Sequence, residues 1–498
     1  MSFVNSYLIR FVQDIVQKQE GFEMESNTET VQNENPILGA VMVCHPPIIV
    51  PNVGQGEERR IKDITNAYEQ TAAEIGAMNP DTIVIISPHA PSYFDYIQLT
   101  SPKISGGDLS QFGDHEDHYI IDNDVELVQE MSRLAEEQNF PMGTLGQQGG
   151  NLDHGTVVPL YFLNPQIGHH TRIVRMSIGG LSQLDHYKAG KILAQAAKNL
   201  NRKVAVVASG DLSHCQKEGS NYGFKACGPV YDAKIMDIMG RGDFKTLVEM
   251  PENEAEDAMS CGQKPFCVMA GALDGLMPES KALAHSAEFG VGYGICTYTH
   301  LKEEESRKLE ETIENDLKAR RHAKRMKEDV YVRFARKNIE SFVRDGKTVS
   351  LSAHSGLPEE MLKDRAGVFV SIHEFGNLRG CIGTIAPVHE NIAAEIAANA
   401  ASACSADPRF PAVRPDELDY LDINVDVLTK PEPCTKDQLD PKKYGVIVRQ
   451  GNKRGVLLPD LEGVNSVDEQ ISIAMQKAGI PAHADDVELE RFEVVRHV

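Results

Sequence analysis

Residues Asp81 to Leu99 read DTIVIISPHAPSYFDYIQL, and this stretch decides the fold of the first part of the chain. Thr82 to Ile86 is β-branched at every position, which is typical of a strand buried on both faces of a parallel sheet. Pro88 and Pro91 cannot continue a strand ladder, so the chain must turn directly after this strand. The turn places His89 at the carboxyl end of the strand, where open α/β sheets bind their ligands.

The same arrangement occurs twice more. Leu38 to Cys44 (LGAVMVC) runs into His45, and Lys203 to Ser209 (KVAVVAS) runs into a turn that ends in His214. If the three strands are parallel neighbours, the three histidines converge on one crevice. A single histidine in this position more often only ends a strand, but three in the same context indicate a shared site.

The alternation of elements divides the chain into two domains. Strands alternate with amphipathic helices up to about residue 300, which predicts an α/β domain with a mainly parallel sheet. The last third mixes hairpins with helices, which indicates an α+β domain. Between them the sequence is dense in both signs of charge, as in a solvated helix. The predicted boundaries are a flexible lead-in at 1–35, domains at 36–302 and 326–498, and a linker helix at 303–325.

Composition excludes several classes of protein. The 498 residues carry a formal charge of -23, which argues against non-specific binding of nucleic acids or anionic membranes by the whole surface. Apolar runs are too short to span a bilayer, and the first residues lack a signal-peptide cleavage site, so we expect no membrane association and a cytoplasmic location. None of the nine cysteines forms a C-x-x-C pair, which excludes a zinc ribbon and a thioredoxin-type motif.

Five segments, taken in order, resemble the LigB-like superfamily, which comprises class III extradiol ring-cleavage dioxygenases and the related Memo-like proteins. They are the HPP turn, SPHAPSY, LDHGTVVPL, SGDLSH and SCGQKP. The resemblance covers roughly residues 36 to 300. It implies a non-haem Fe(II) held by two histidines and a carboxylate, with positions free for a catecholate and dioxygen.

The resemblance also implies roles for individual residues. His45 and His89 match the two histidine ligands of the family. His154 in the DHG segment and His214 in SGDLSH match histidines that act around the metal, where a base is needed to take the phenolic proton. Asp211 stands three residues before His214 and could orient it or bind a metal-bound water.

The third ligand departs from the dioxygenase pattern. At that position the Memo-like branch has a cysteine in a C-G-x-x-P setting, and this chain has Cys261 in CGQKP. A thiolate is a softer ligand that would admit copper or zinc as well as iron. Glu256 and Asp257 stand nearby and could supply an oxygen ligand instead. A buried cysteine with no metal role is the remaining alternative.

The C-terminal domain resembles the AMMECR family over roughly residues 326 to 498. The resemblance rests on NLRGCIGT at Asn377 to Thr384 and on DPRFP at Asp407 to Pro411. Cys381 inside the first segment is either a packing residue or a nucleophile activated by a neighbouring cation or base. The basic residues that could form an anion pocket in this domain are Arg379, Arg409, Arg414 and Lys453.

Three functions are compatible with this sequence. The first is a non-haem iron oxidoreductase that acts on a small molecule such as an aromatic diol. The second is a metal-binding component that handles a substrate or intermediate for a radical S-adenosylmethionine enzyme, because proteins resembling both halves occur in the AmmeMemoRadiSam system. In that case the second domain would bind the partner, a peptide or a nucleic acid. The third is a scaffold without catalysis, which four retained histidines argue against.

Overall fold

The computed structural model describes residues 35–146, 150–349, 356–461, 464–484 and 486–498. Apart from Asn35, the predicted lead-in at 1–35 lies outside these residues. Among the helices that are described, none combines the length and the apolar character needed to cross a membrane.

The N-terminal domain is built on a six-stranded sheet. Its strands are β1 (Ile37–Val43), β2 (Thr82–Ile86), β7 (Arg172–Met176), β8 (Val204–Ser209), β9 (Leu276–Ser286) and β10 (Tyr293–Glu303). The strand order is β7-β2-β8-β1-β10-β9. The four strands from β7 to β1 are parallel, and β10 and β9 add antiparallel to the β1 edge. The prediction of a mainly parallel α/β sheet is confirmed.

Helices cover both faces of this sheet. They are α1 (Pro51–Gly54), α2 (Lys62–Ala77), α3 (Val125–Glu137), α4 (His154–Leu163), α5 (Gln183–Asn199), α6 (Cys227–Arg241), α7 (Phe244–Val248), α8 (Glu252–Asp257) and α9 (Gln263–Ala272). Because side chains alternate along a strand, Val84 and Ile86 join one core with α3, α5 and α9. Ile83 and Ile85 join the opposite core with α2 and α4. Four short strands lie outside the main sheet: β3 (Ile97–Gln98), β4 (Ile104–Asp108), β5 (His118–Asp122) and β6 (Met142–Gly143).

One strand of the main sheet was not predicted. β9 reads LMPESKALAHS, and its residues are mostly exposed or half-buried, as expected of an edge strand. A strand of this kind carries neither a continuous apolar run nor strict alternation, and Pro278 argues against a strand on sequence grounds. The antiparallel pairing with β10 holds this segment as a strand, although its own sequence does not favour one.

The C-terminal domain combines two antiparallel sheets with helices, which confirms the α+β prediction. The helices are α11 (Val330–Asp345), α12 (Glu359–Lys363), α13 (Ile392–Ser405) and α14 (Val467–Lys477). The strands are β11 (Val368–Glu374), β12 (Asn377–Gly383), β13 (Leu421–Leu428), β14 (Glu432–Pro433), β15 (Gly445–Gln450), β16 (Lys453–Leu457), β17 (Glu488–Phe492) and β18 (Val494–His497). One sheet has the order β12-β11-β13-β18 and packs on α11 and α13, and the other has the order β14-β17-β15-β16 and packs on α14.

A charged helix, α10 (Glu310–Arg325), connects the domains. It begins later than the predicted 303–325, because β10 continues as a strand through Glu303. Its Arg320 pairs with Glu249 of the first domain at 2.5 Å, and its Arg325 donates to the Leu418 carbonyl of the second at 2.8 Å. The helix therefore contacts both domains directly.

Candidate metal centre

The carboxyl ends of β1, β2 and β8 meet at one edge of the sheet, and each strand delivers polar side chains there. His45 follows β1, His89 follows β2, and Asp211 and His214 follow β8. His154 is the first residue of α4. The convergence expected from three similar strand ends therefore rests on strands that are parallel neighbours, with β8 between β1 and β2.

Three of these histidines form one cluster. One ring nitrogen from each of His45, His89 and His154 lies within 4.8 Å of the others. The Nε2 atoms of His45 and His89 are 3.1 Å apart, and the rings of His89 and His154 have centroids 4.1 Å apart. His45 is buried, His154 is half-buried and His89 is exposed, so the cluster is open on the His89 side.

Hydrogen bonding fixes which nitrogen of His45 faces the cluster. The Ser209 hydroxyl donates its proton to the Gly155 carbonyl at 2.6 Å. The same hydroxyl oxygen lies 2.9 Å from His45 Nδ1, so it can only accept a proton from that nitrogen. The tautomer with a lone pair on Nε2 follows, and Nε2 is the atom that points at His89. An orienting bond of this kind is typical of histidines that bind metals.

The local environment keeps the imidazoles neutral, as metal ligands must be. Burial lowers the pKa of His45 well below its usual value, and the nearby His89 and His154 lower it further. Burial also lowers the pKa of His89 and brings that of His154 to about 4. Neutral imidazoles present lone pairs, and a shared metal cation would bind these lone pairs.

The cluster passes a geometric test for a metal ion. Two nitrogens that each lie about 2.0–2.1 Å from one ion can be at most about 4.2 Å apart. His45 and His89 meet this condition, and a ring nitrogen of His154 lies within 4.8 Å of both. Imidazole nitrogens suit iron, copper and zinc alike, so the donor set indicates a transition metal without selecting one.

Asp211 supports this cluster from the β8 side. Its Oδ1 accepts a hydrogen bond from the His45 backbone N–H at 2.8 Å, and its Oδ2 lies 3.9 Å from His45 Nε2. Burial raises the pKa of Asp211 to about 7. The side chain therefore orients His45 through the backbone and carries a readily exchanged proton near neutral pH.

Cys261 lies beside His45 but outside the three-histidine cluster. Its Sγ is 3.5 Å from His45 Nε2 and accepts a hydrogen bond from the Asp211 N–H at 3.2 Å. Burial, with Asp211 adding to it, raises the pKa of this thiol. Of the alternative carboxylates, Glu256 turns toward Asn377 of the second domain, and Asp257 interacts with Asn253, one turn earlier in α8.

His214 stands at the edge of the cluster. Its backbone N–H donates to the Ala258 carbonyl at 3.0 Å, and its ring stacks on Tyr222 with centroids 5.2 Å apart. Burial lowers the pKa of His214, and a positive charge on it would lower that of His45. The structure thus brings His214 within electrostatic reach of the cluster while its ring faces an exposed tyrosine.

Asp153 ties two of the clustered histidines together, and sequence reasoning missed it. It caps α4 by accepting from the Thr156 N–H at 3.1 Å, which fixes the turn that carries His154. It also accepts from the Ser87 hydroxyl at 2.5 Å, and that hydroxyl in turn accepts from the His89 N–H at 3.3 Å. The available signal was the D-x-x-T spacing, a helix-start pattern.

We expect Asp153→Ala to weaken metal binding about 10- to 100-fold, the usual cost of losing a residue that orients ligands. Asp243→Ala is the matched control, because Asp243 caps α7 through Thr246 in the same way but lies outside the cluster. Both changes should lower the free energy of unfolding by about 1 kcal/mol. Chelator competition on the two variants measures the difference, and equal metal affinity would contradict the assigned role.

In the C-terminal domain, Arg379 is not available for the predicted anion pocket. Arg379 is buried and donates to Glu417 at 2.7 Å and to the Pro411 carbonyl at 2.7 Å. The guanidinium of Arg379 therefore makes structural contacts within the domain. Arg409 pairs with Asp407 at 2.7 Å, and Cys381 accepts from the Ser371 hydroxyl at 3.2 Å.

Comparison with known protein families agrees with this division of the chain. A family described as the catalytic LigB subunit of aromatic ring-opening dioxygenase matches residues 39–296, and the AMMECR1 family matches residues 332–497. The fold and the strand-end cluster are consistent with this match and define an α/β domain of the LigB type. The chain belongs to the LigB family and carries a C-terminal AMMECR1 domain.

Several known proteins match this chain over different lengths. Protein CA_C1420 of Clostridium acetobutylicum is 38% identical over 466 residues, covering 92% of this chain and 98% of that protein. A protein of Thermotoga maritima is 53% identical over 172 residues, covering 34% of this chain and 98% of its own length. The crystal structure of an uncharacterized protein from Pyrococcus horikoshii matches with 29% identity and a TM-score of 0.31, covering 33% of this chain and 88% of that one.

Proposed function

We propose that this protein is a non-haem iron-dependent oxidoreductase that opens aromatic diols with dioxygen. The observation that carries the proposal is the cluster of His45, His89 and His154 at the strand ends of a LigB-family domain. Fe(II) would supply the one-electron chemistry that lets dioxygen react with an organic substrate. Copper or zinc in the same cluster is the alternative that the thiol of Cys261 would favour.

In this proposal His45 and His89 hold the metal, and His154 or Cys261 completes the set. His45 is the best prepared ligand, because Ser209 fixes its tautomer and Asp211 fixes its backbone. The exposed side of His89 leaves room for a substrate to approach. The cluster thus combines a rigid inner side with an accessible outer side, as a site that turns over substrate requires.

His214 and Asp211 are the proposed proton carriers. His214 is neutral at pH 7 because burial lowers its pKa, so it can accept the proton of a phenolic hydroxyl. Its stacking partner Tyr222 offers an aromatic face at the same place. Asp211, with a pKa of about 7, can exchange a proton with solvent or with a neighbouring group at neutral pH.

The test is oxygen uptake by protein purified anaerobically and reconstituted with Fe(II). With a panel of catechols, one O₂ should be consumed per diol, and a yellow ring-opened product should appear. His214→Gln should lower kcat by about 100-fold or more while Fe(II) stays bound, since general-base groups contribute about 10²–10⁴ in rate. Protein that holds Fe(II) but consumes no oxygen with any diol would refute dioxygenase activity and leave metal binding standing.

A further inference from the structure

A second cavity lies where the two domains and α10 meet. Its volume is about 330 Å³, and none of the residues placed in the metal cluster lines it. Leu184 of α5 and the loop before α8 form one wall, α10 forms another, and the turn between β11 and β12 closes it from the C-terminal domain. A cavity of this size at a domain interface is a usual location for a small-molecule site.

The turn that closes the cavity contains a backbone conformation that its sequence does not favour. Phe375 and Gly376 both have positive φ, 50° and 83°, so they form the two central residues of a tight hairpin turn. Asn-Gly is the preferred pair for such a turn, because asparagine tolerates this region and bulky residues do not. Backbone strain at a bulky residue points to a use for its side chain.

The side chain of Phe375 forms an aromatic wall of the cavity. Its ring centroid lies 5.3 Å from that of Tyr420, which is 38% exposed, so the pair is not sealed inside a core. The guanidinium of Arg321, from α10, lies 4.9 Å from the Tyr420 ring centre. An aromatic wall next to an arginine matches a planar ligand with negative charge.

The charges around the cavity favour an anion. Lys188 and Arg321 both line it, and within the described part of the chain neither has a carboxylate within 4 Å. Glu314 on α10 pairs with Lys318 at 3.0 Å, and Lys188 and Arg321 also stabilise its negative charge from a greater distance. In a chain of formal charge -23, two cations in one cavity that both lack a carboxylate within 4 Å are candidate ligand-binding groups.

The acidic residues of the cavity are already engaged. Asp422 pairs with Lys324 at 2.8 Å, Glu249 pairs with Arg320 at 2.5 Å, and Asp185 completes the capping box of α5. The remaining acid is Glu252, whose pKa burial raises to about 8, so it is largely uncharged at neutral pH. The ion pairs of Asp422 and Glu249 and the raised pKa of Glu252 reduce the repulsion of an anion by these acidic residues.

We propose that this cavity binds a small molecule that combines a planar aromatic ring with an anionic group. The ring would pack on Phe375 and Tyr420, and the anionic group would lie between Arg321 and Lys188. An aromatic carboxylate and a nucleotide share this chemistry. The inference does not depend on the function of the metal cluster.

The test is titration of the metal-loaded full chain with two probes, 2-naphthoate and AMP, by isothermal titration calorimetry. At least one should bind with a Kd below about 1 mM. Phe375→Asn should weaken that binding about tenfold or more by removing the ring. The same change should leave Tm unchanged or raise it, because asparagine suits the turn.

Two further variants test whether Arg321 binds the anionic group and control for the loss of a positive charge elsewhere. Arg321→Gln should weaken binding about fivefold or more, because it removes the cation nearest the aromatic wall. Lys337→Gln, an exposed lysine of α11 outside the cavity, should change nothing. The probe that binds identifies the ligand as a carboxylate or as a nucleotide phosphate. The proposal is overturned if neither probe binds, or if Phe375→Asn and Arg321→Gln bind as well as the unaltered chain; should Phe375→Asn not fold, Arg321→Gln decides.

Discussion

His45→Ala is expected to lower the affinity for Fe(II) by more than about 100-fold, beyond the loss typical of residues that only orient a ligand. Within the cluster, His45 is the histidine whose tautomer is fixed by a neighbouring hydroxyl and whose backbone is held by Asp211. Its removal also leaves His89 and His154 without the partner that completes the cluster. Iron content after anaerobic purification, followed by chelator competition, measures the effect.

Two companion variants make this result specific. His322→Ala removes an exposed histidine of α10 and should retain metal fully. Cys261→Ser distinguishes Cys261 from His154 as the third ligand. A large loss of metal would identify the thiol of Cys261 as the ligand, and retention of metal would identify His154. If His45→Ala kept stoichiometric iron, the centre at the strand ends would be refuted.

Arg379→Met is expected to lower the free energy of unfolding of the C-terminal domain by about 3–5 kcal/mol, the cost of leaving one partner of a buried ion pair behind. Arg379 is 2% exposed, and its partner Glu417 is 6% exposed. The change also frees the carbonyls of Pro411 and Ala412, which the guanidinium now satisfies. Glu374 is a second carboxyl near Arg379. Burial and the nearby Glu417 already raise its pKa to about 7, and the substitution removes the positive charge of Arg379 that opposes this rise.

Urea unfolding followed by circular dichroism measures this loss. Lys442→Met is the control, because Lys442 is exposed and pairs with the exposed Asp460 at the surface, where an ion pair contributes at most about 1 kcal/mol. Similar unfolding free energies for the two variants would show that Arg379 is dispensable to the fold. In that case it would be free for the anion pocket that the sequence suggested.

The parallel core of the first domain could be predicted because its strands are buried on both faces. The strand at Thr82 to Ile86, like those at Leu38 to Cys44 and Lys203 to Ser209, can be recognised from its run of apolar residues alone. The edge strand β9 could not be predicted, because its pairing with β10 replaces local preference. The start of α10 was placed too early for a similar reason: charge density alone does not separate the end of β10 from the first helical turn.

The candidate site was also predictable only in part. Histidines that end buried strands can be located from sequence, because a sheet edge is a predictable place. The groups that hold them cannot, because Ser209 bonds to His45 across 164 residues and Asp153 bonds to Ser87 across 66 residues. Phe375 shows the converse: hairpins were predicted for the last third of the chain, but the positive φ that makes this phenylalanine unusual is visible only in the structure.

The strand order has a consequence for when the protein can acquire its metal. β1 and β2 carry His45 and His89, yet they are not neighbours, and β8 must lie between them. A nascent chain that has emerged through α4 already contains all three clustered histidines but has no surface on which to assemble them. The cluster forms only after Val204–Ser209 has been synthesised and inserted. A metal held by this cluster would therefore bind only after β8 has formed, and we expect ribosome-bound fragments that end before this strand not to retain one.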